Sequence, residues 1–139
     1  MANFRFDLVS PEKLLFTGDV AQVDLPGAEG DIGVLAGHAP LVTTLRPGIV
    51  VVYRDTDDMR MVVTGGFAEV GPAGLTVLAD NAVPLEEFDR TMLAGEIKDL
   101  EEDVADATDG HERDKLAHRL GQLQALEAAL SRGPSESHP

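Results

Sequence analysis

The chain has 139 residues, enough for one well-buried core or one core with a small appendage, but not for two full domains. It carries 25 acids against 11 bases, a formal net charge of -14, and both parts share the excess: residues 1–85 hold 11 acids and 5 bases, residues 86–139 hold 14 and 6. Such a surface repels phosphate backbones and anionic lipid, which counts against nucleic-acid binding and direct membrane adsorption, and the absence of cysteine removes disulfides, a thiolate nucleophile and thiolate metal ligands.

Phe4, Phe6 and Leu8 alternate with Arg5 and Asp7, so strand pattern begins almost at Met1 and a signal or transit peptide is not expected. No apolar run approaches the ~20 residues of a membrane-spanning helix. The chain is expected to be soluble and to reach a membrane only through other proteins. From residue 4 to about 85 the pattern keeps a period near two, with candidate strands Phe4–Val9, Lys13–Thr17, Val20–Leu25, Ile32–Leu35, Leu41–Leu45, Ile49–Arg54, Met59–Thr64, Phe67–Val70 and Leu75–Ala79. Turn chemistry falls between them at Ser10-Pro11, Thr17-Gly18-Asp19, Pro26-Gly27, Arg46-Pro47-Gly48, Asp55 to Asp58, Gly65-Gly66 and Gly71 to Gly74. Short strands at this density predict a sandwich or barrel.

After Pro84 the punctuation stops. Leu93, Ile97, Leu100, Val104 and Ala107 form one apolar stripe on a helix predicted from Glu86 to Ala107. Leu116, Leu120, Leu123, Leu126 and Leu130 form a second stripe, with Asp109 placed to cap the second helix and Glu112 as its capping-box partner. So short a link predicts an antiparallel hairpin. The tail Gly133–Pro139 reads as disordered.

The stretch Glu29–Gly48, EGDIGVLAGHAPLVTTLRPG, concentrates glycine and proline around three polar side chains, Glu29, Asp31 and His38. A polar loop on a rigid sheet is a usual place for a binding surface. A carboxylate orienting an imidazole, or three ligands around a metal, is the enzymatic alternative at these residues; surface or turn-stabilising roles outweigh it. A P-loop is absent because no Gly-Lys pair occurs, and no GxSxG elbow is present. Asp55, Asp57 and Asp58 lack the glycine and glutamate of a calcium loop. His111 and His118 have no ligand spacing to each other and are expected to be solvated.

Taken in order, FRFDLVSPEKLLFTGDV, the EGDIGVLAGHAPLVTTLRPG loop, TGGFAEV at Thr64–Val70, LTVLAD at Leu75–Asp80 and the terminal helix pair make the protein resemble the epsilon subunits of bacterial F-type ATP synthases over residues 4–132. The resemblance implies an α+β fold: an N-terminal ten-stranded β-sandwich over residues 1–85, followed by a C-terminal antiparallel α-helical hairpin over residues 86–132. It implies a non-catalytic rotor subunit of the central stalk that binds the gamma subunit and the c-subunit ring beneath the alpha and beta subunits of the head, and that couples proton-driven rotation to ATP synthesis. Glu29, Asp31 and His38 match the loop that faces the c ring. Family members that bind ATP carry [I/L]-D-x-x-R-A at the start of the first helix. Here Asp89 keeps its place, but Met92 and Leu93 stand where Arg and Ala would be, leaving Arg90 as the nearby guanidinium. Losing the phosphate partner argues against nucleotide sensing, so no cofactor is expected. Members whose hairpin brakes hydrolysis carry bases along the second helix; Arg113, Lys115 and Arg119 cluster at its start, whereas Gln122–Ser131 holds only Glu127. Weak or no self-inhibition is expected. The implied place is the cytoplasmic face of a bacterial plasma membrane, although a processed organellar protein would read similarly. The alternative without the resemblance is a stand-alone sandwich-plus-hairpin protein adaptor.

Overall fold

The computed structural model describes residues 2–132, so the expectation for Gly133–Pro139 lies outside the described residues. Ten strands come first: β1 (Phe4–Val9), β2 (Leu14–Val20), β3 (Gln22–Gly27), β4 (Gly30–Leu35), β5 (Leu41–Leu45), β6 (Gly48–Tyr53), β7 (Asp58–Val63), β8 (Gly66–Gly71), β9 (Gly74–Ala79) and β10 (Ala82–Pro84). A 3-10 turn over Leu85–Glu87 leads to α1 (Arg90–Asp106) and α2 (Gly110–Arg132). The chain divides into two compact units between Glu87 and Phe88.

The strands hydrogen-bond in the order β10-β7-β6-β3-β5-β8-β9-β1-β2, with β4 paired to β3. Neighbours are antiparallel except β1 and β9. One layer, β10-β7-β6-β3-β4, meets the other, β5-β8-β9-β1-β2, where Gly27 of β3 pairs with Leu45 of β5. Period-two alternation turns Phe6, Leu8, Val23, Leu25, Val50, Val52, Ala68, Leu75 and Val77 into the space between the layers. Phe6, Leu8, Leu25 and Leu75 are essentially fully buried, each worth about 1.5–3 kcal/mol. This is the sandwich the sequence pattern predicts.

Two turn assignments are corrected. Thr17-Gly18-Asp19 lies inside β2, where the three residues pair with Asp7, Phe6 and Arg5. The Thr17 hydroxyl donates to the Asp7 carboxylate across the pair, so side chains that read as turn formers hold a ladder together. Pro26-Gly27 likewise closes β3, and the reversal falls at Ala28-Glu29, between the paired Gly27 and Gly30. The tenth strand has no distinct sequence signal. It has three residues, pairs with β7 alone among the described residues, and ends on Pro84, a residue suited to a sheet edge.

In the helical unit, α1 begins later than periodicity predicts because Asp89 caps it: its carboxylate accepts the Met92 N–H at 3.0 Å. Asp109 caps α2, accepting the His111 N–H on its side chain at 3.3 Å and the Arg113 N–H on its carbonyl at 2.9 Å. Both apolar stripes face inward. Leu93 and Ile97 of α1 and Leu123, Leu126 and Leu130 of α2 are buried, while Leu100, Val104, Leu116 and Leu120 nearer the interhelical turn are half-buried.

Candidate functional site

Glu29 sits in the tight turn between β3 and β4, and Asp31 one residue into β4. Both are exposed. The turn leans on the end of β5 and the segment that follows it. Ala28 donates its N–H to the Thr44 carbonyl at 2.9 Å, and Arg46 donates its N–H to the Pro26 carbonyl at 3.0 Å. The Arg46 guanidinium then spans the turn, one nitrogen donating to the Gly27 carbonyl and the other meeting the Asp31 carboxylate at 2.6 Å. Asp31 is 80% exposed and Arg46 31%, so the pair lies at the rim, with its cation partly sunk into the corner.

Close backbone approach makes this corner possible. A β-carbon on Gly27 would lie 2.5 Å from the Gly30 carbonyl oxygen, and one on Gly48 would lie 2.5 Å from Cβ of Pro26. Glycine at 27 and 48 is therefore a packing requirement. Glu29 makes no side-chain hydrogen bond or ion pair among the described residues, and it is the carboxylate left open at the tip.

His38 does not join this group. It lies beyond the other end of β4, in a turn where its N–H donates to the Leu35 carbonyl at 3.1 Å, and the strand from Asp31 to Leu35 spans about 13 Å at the usual rise per residue. Its Nδ1 bonds the Ala39 carbonyl at 2.7 Å, and it borders a cavity of about 500 Å³ with Asn3, Pro40 and Pro72. Three residues close in sequence are thus split between opposite ends of one strand. Among the described residues no three or more His, Asp or Glu side chains are placed to hold a metal. The carboxylate–imidazole pairing that an enzymatic reading needs is not formed by Glu29, Asp31 and His38.

Asp89 and Arg90 lie at the open end of the helical hairpin. Arg90 borders a cavity of about 370 Å³ with Leu93, Gln124, Glu127, Leu130 and Ser131. One guanidinium and one carboxylate leave this lining without net charge. Asp89 is engaged as the α1 cap.

A second surface escaped the sequence reading. On the outer face of β5, β8 and β9, Val42 is 69% and Phe67 42% exposed. Phe67 lies opposite Thr44 on one side and Leu78 on the other, and Val42 lies opposite Glu69. The signal was present as phase: Val42 and Phe67 fall out of step with the buried Leu45, Ala68 and Val70 of the same strands.

Residues 3–85 match the family described as ATP synthase, Delta/Epsilon chain, beta-sandwich domain, and residues 89–136 match the C-terminal domain of the ATP synthase epsilon chain. The protein belongs to the ATP synthase epsilon chain family. ATP synthase epsilon chain 1 of Nitrobacter hamburgensis is 50% identical over 131 residues, covering 94% of this chain and 96% of that one. The ATP synthase epsilon chain of Parvibaculum lavamentivorans is 52% identical over 125 residues, covering 89% and 95%. Among solved structures, a chain of the Euglena gracilis mitochondrial ATP synthase, OSCP/F1/c-ring assembly, superposes with a TM-score of 0.79 at 32% identity, over 94% of this chain and 82% of that one. A chain of the Tetrahymena thermophila mitochondrial ATP synthase central stalk and c-ring shares the fold, with a TM-score of 0.59 at 12% identity over 94% of this chain and 96% of that one.

As an epsilon chain, the protein is a non-catalytic rotor subunit of ATP synthase. The stand-alone adaptor reading gives way to this membership. None of its described helices is long and apolar enough to cross a membrane, and the epsilon chain joins the complex as a peripheral subunit.

Proposed function

We propose that the sandwich transmits rotation by bearing on the c-subunit ring through the Glu29–Asp31 corner, and that the outer face around Val42, Phe67 and Leu78 receives the gamma subunit. The pinned acidic corner carries this reading. An open carboxylate at Glu29, beside the Asp31–Arg46 pair, meets basic and amide groups of a ring through charge-assisted hydrogen bonds, which resist shear without a covalent link. The exposed Val42 and Phe67 supply apolar area of the kind that a permanent partner covers. His38, at the far end of β4, falls outside the ring-facing surface in this reading. The complex is that of a bacterial plasma membrane, with this subunit on the cytoplasmic side beneath the alpha and beta subunits and protons as the coupling ion.

The hairpin in this reading neither binds nucleotide nor brakes hydrolysis. Its candidate cavity has one cation for a triphosphate, and Asp89 is spent as a cap. The bases Arg113, Lys115 and Arg119 stand near the interhelical turn, leaving the rest of α2 almost without positive charge before Arg132.

The test is a cross-link. Glu29→Cys, in a protein with no native cysteine, is modified with a short photoactivated linker in the assembled complex. Capture of a c subunit is the expected result, and capture only of other subunits would overturn the ring assignment.

A further inference from the structure

We infer that Arg46 is a positioning residue for the load-bearing corner, a strut that holds the Glu29 tip at a fixed attitude. The inference rests on the proposal that this corner bears on the c ring. Arg46 approaches the tip through three bonds, from its N–H to Pro26 and from its guanidinium to Gly27 and Asp31. These lie on both sides of the Ala28-Glu29 reversal, so the guanidinium braces the start and the end of the turn at once. The corner is also where the two layers meet, at Gly27 and Leu45. A force on Glu29 is therefore delivered into both layers rather than absorbed by bending one hairpin.

Arginine suits this task because its planar fork serves two acceptors in fixed geometry, which a single ammonium cannot do. The Asp31 carboxylate, exposed at its outer side, is oriented by the same fork and completes the acidic surface. Charge alone does not explain the arrangement. A cation serving only to neutralise Asp31 would have no reason to reach the Gly27 carbonyl.

The experiment compares Arg46→Gln, Arg46→Lys and Asp31→Asn, each as the isolated full-length protein and in the assembled complex. In the isolated protein, Arg46→Gln speeds amide exchange at Ala28 and Gly30 at least tenfold while the amides of β1 and β9 keep their protection. In the complex, with incorporation of the subunit quantified, it lowers protons pumped per ATP hydrolysed at least threefold. Arg46→Lys, keeping the charge on a single nitrogen without the fork, gives intermediate exchange and recovers part of the pumping ratio, and Asp31→Asn falls between Arg46→Lys and the native protein. Unchanged exchange in Arg46→Gln would overturn the strut. Faster exchange with an unchanged pumping ratio would overturn its mechanical role, while the Glu29→Cys cross-link still stands. Failure of that cross-link would remove the parent proposal, and the load-bearing role of Arg46 with it.

Discussion

Gly48 faces Pro26 so closely that a β-carbon on Gly48 would lie 2.5 Å from Cβ of the proline. The contact fixes how the start of β6 lies alongside the end of its antiparallel partner β3, two residues along the chain from Arg46. Neither side can yield easily, because the proline ring is rigid and Gly48 pairs with Val63. Gly48→Ala is expected to destabilise the sandwich by about 1–3 kcal/mol, the usual cost of overpacking. Urea unfolding of the isolated protein checks this, and an unchanged midpoint would mean that the backbone absorbs the extra methyl.

Asp89 is a structural cap, so its loss should register in helix stability. Asp89→Ala is expected to cost about 1 kcal/mol of hairpin stability, whereas Asp89→Asn or Asp89→Ser, both good caps, costs only a few tenths. Helical circular dichroism followed through thermal unfolding separates the variants. Equal loss in all three would mean that the carboxylate serves something other than the cap.

Asp7 has its pKa held below the ordinary carboxylate value, chiefly by the hydrogen bond from Thr17, with Arg5 adding to the effect and burial opposing it. A carboxyl depressed in the folded state stabilises the fold above its unfolded pKa of about 3.9, and that contribution disappears as pH falls through the folded value. Thr17→Val should move the Asp7 titration back up toward the ordinary value, read by NMR of its side-chain carboxyl. It should also flatten the acid-induced loss of stability below about pH 4. No movement of the Asp7 titration would assign the shift to Arg5 instead.

If the hairpin does not brake the enzyme, deleting residues 87–139 leaves the ATPase rate of the complex nearly unchanged. Steady-state hydrolysis at saturating ATP measures this. A several-fold rise on deletion would show that the sparse bases of α2 suffice for inhibition.

Much of the fold was legible because burial imposes period. The alternation of Phe4, Phe6 and Leu8, and the leucine stripe from Leu116 to Leu130, survive in the structure as inward-facing rows. What was not legible involves segments that meet only after folding. Gly27 looks like a turn glycine in sequence because close backbone approach and turn formation demand the same residue. The Arg46–Asp31 pair joins residues on different elements and has no local signature. Conversely, Glu29, Asp31 and His38 look like one cluster until β4 is seen to run extended from Asp31 to Leu35, with His38 past the turn that follows it.

The most direct test of the coupling role is the ratio of protons pumped to ATP hydrolysed in membranes stripped of their epsilon subunit and reconstituted with this protein. The native protein should restore the ratio, and a variant with both Glu29→Lys and Asp31→Lys, incorporated to the same level, should restore less than a third of it. Equal restoration by both would contradict the claim that the Glu29–Asp31 corner couples rotation to catalysis.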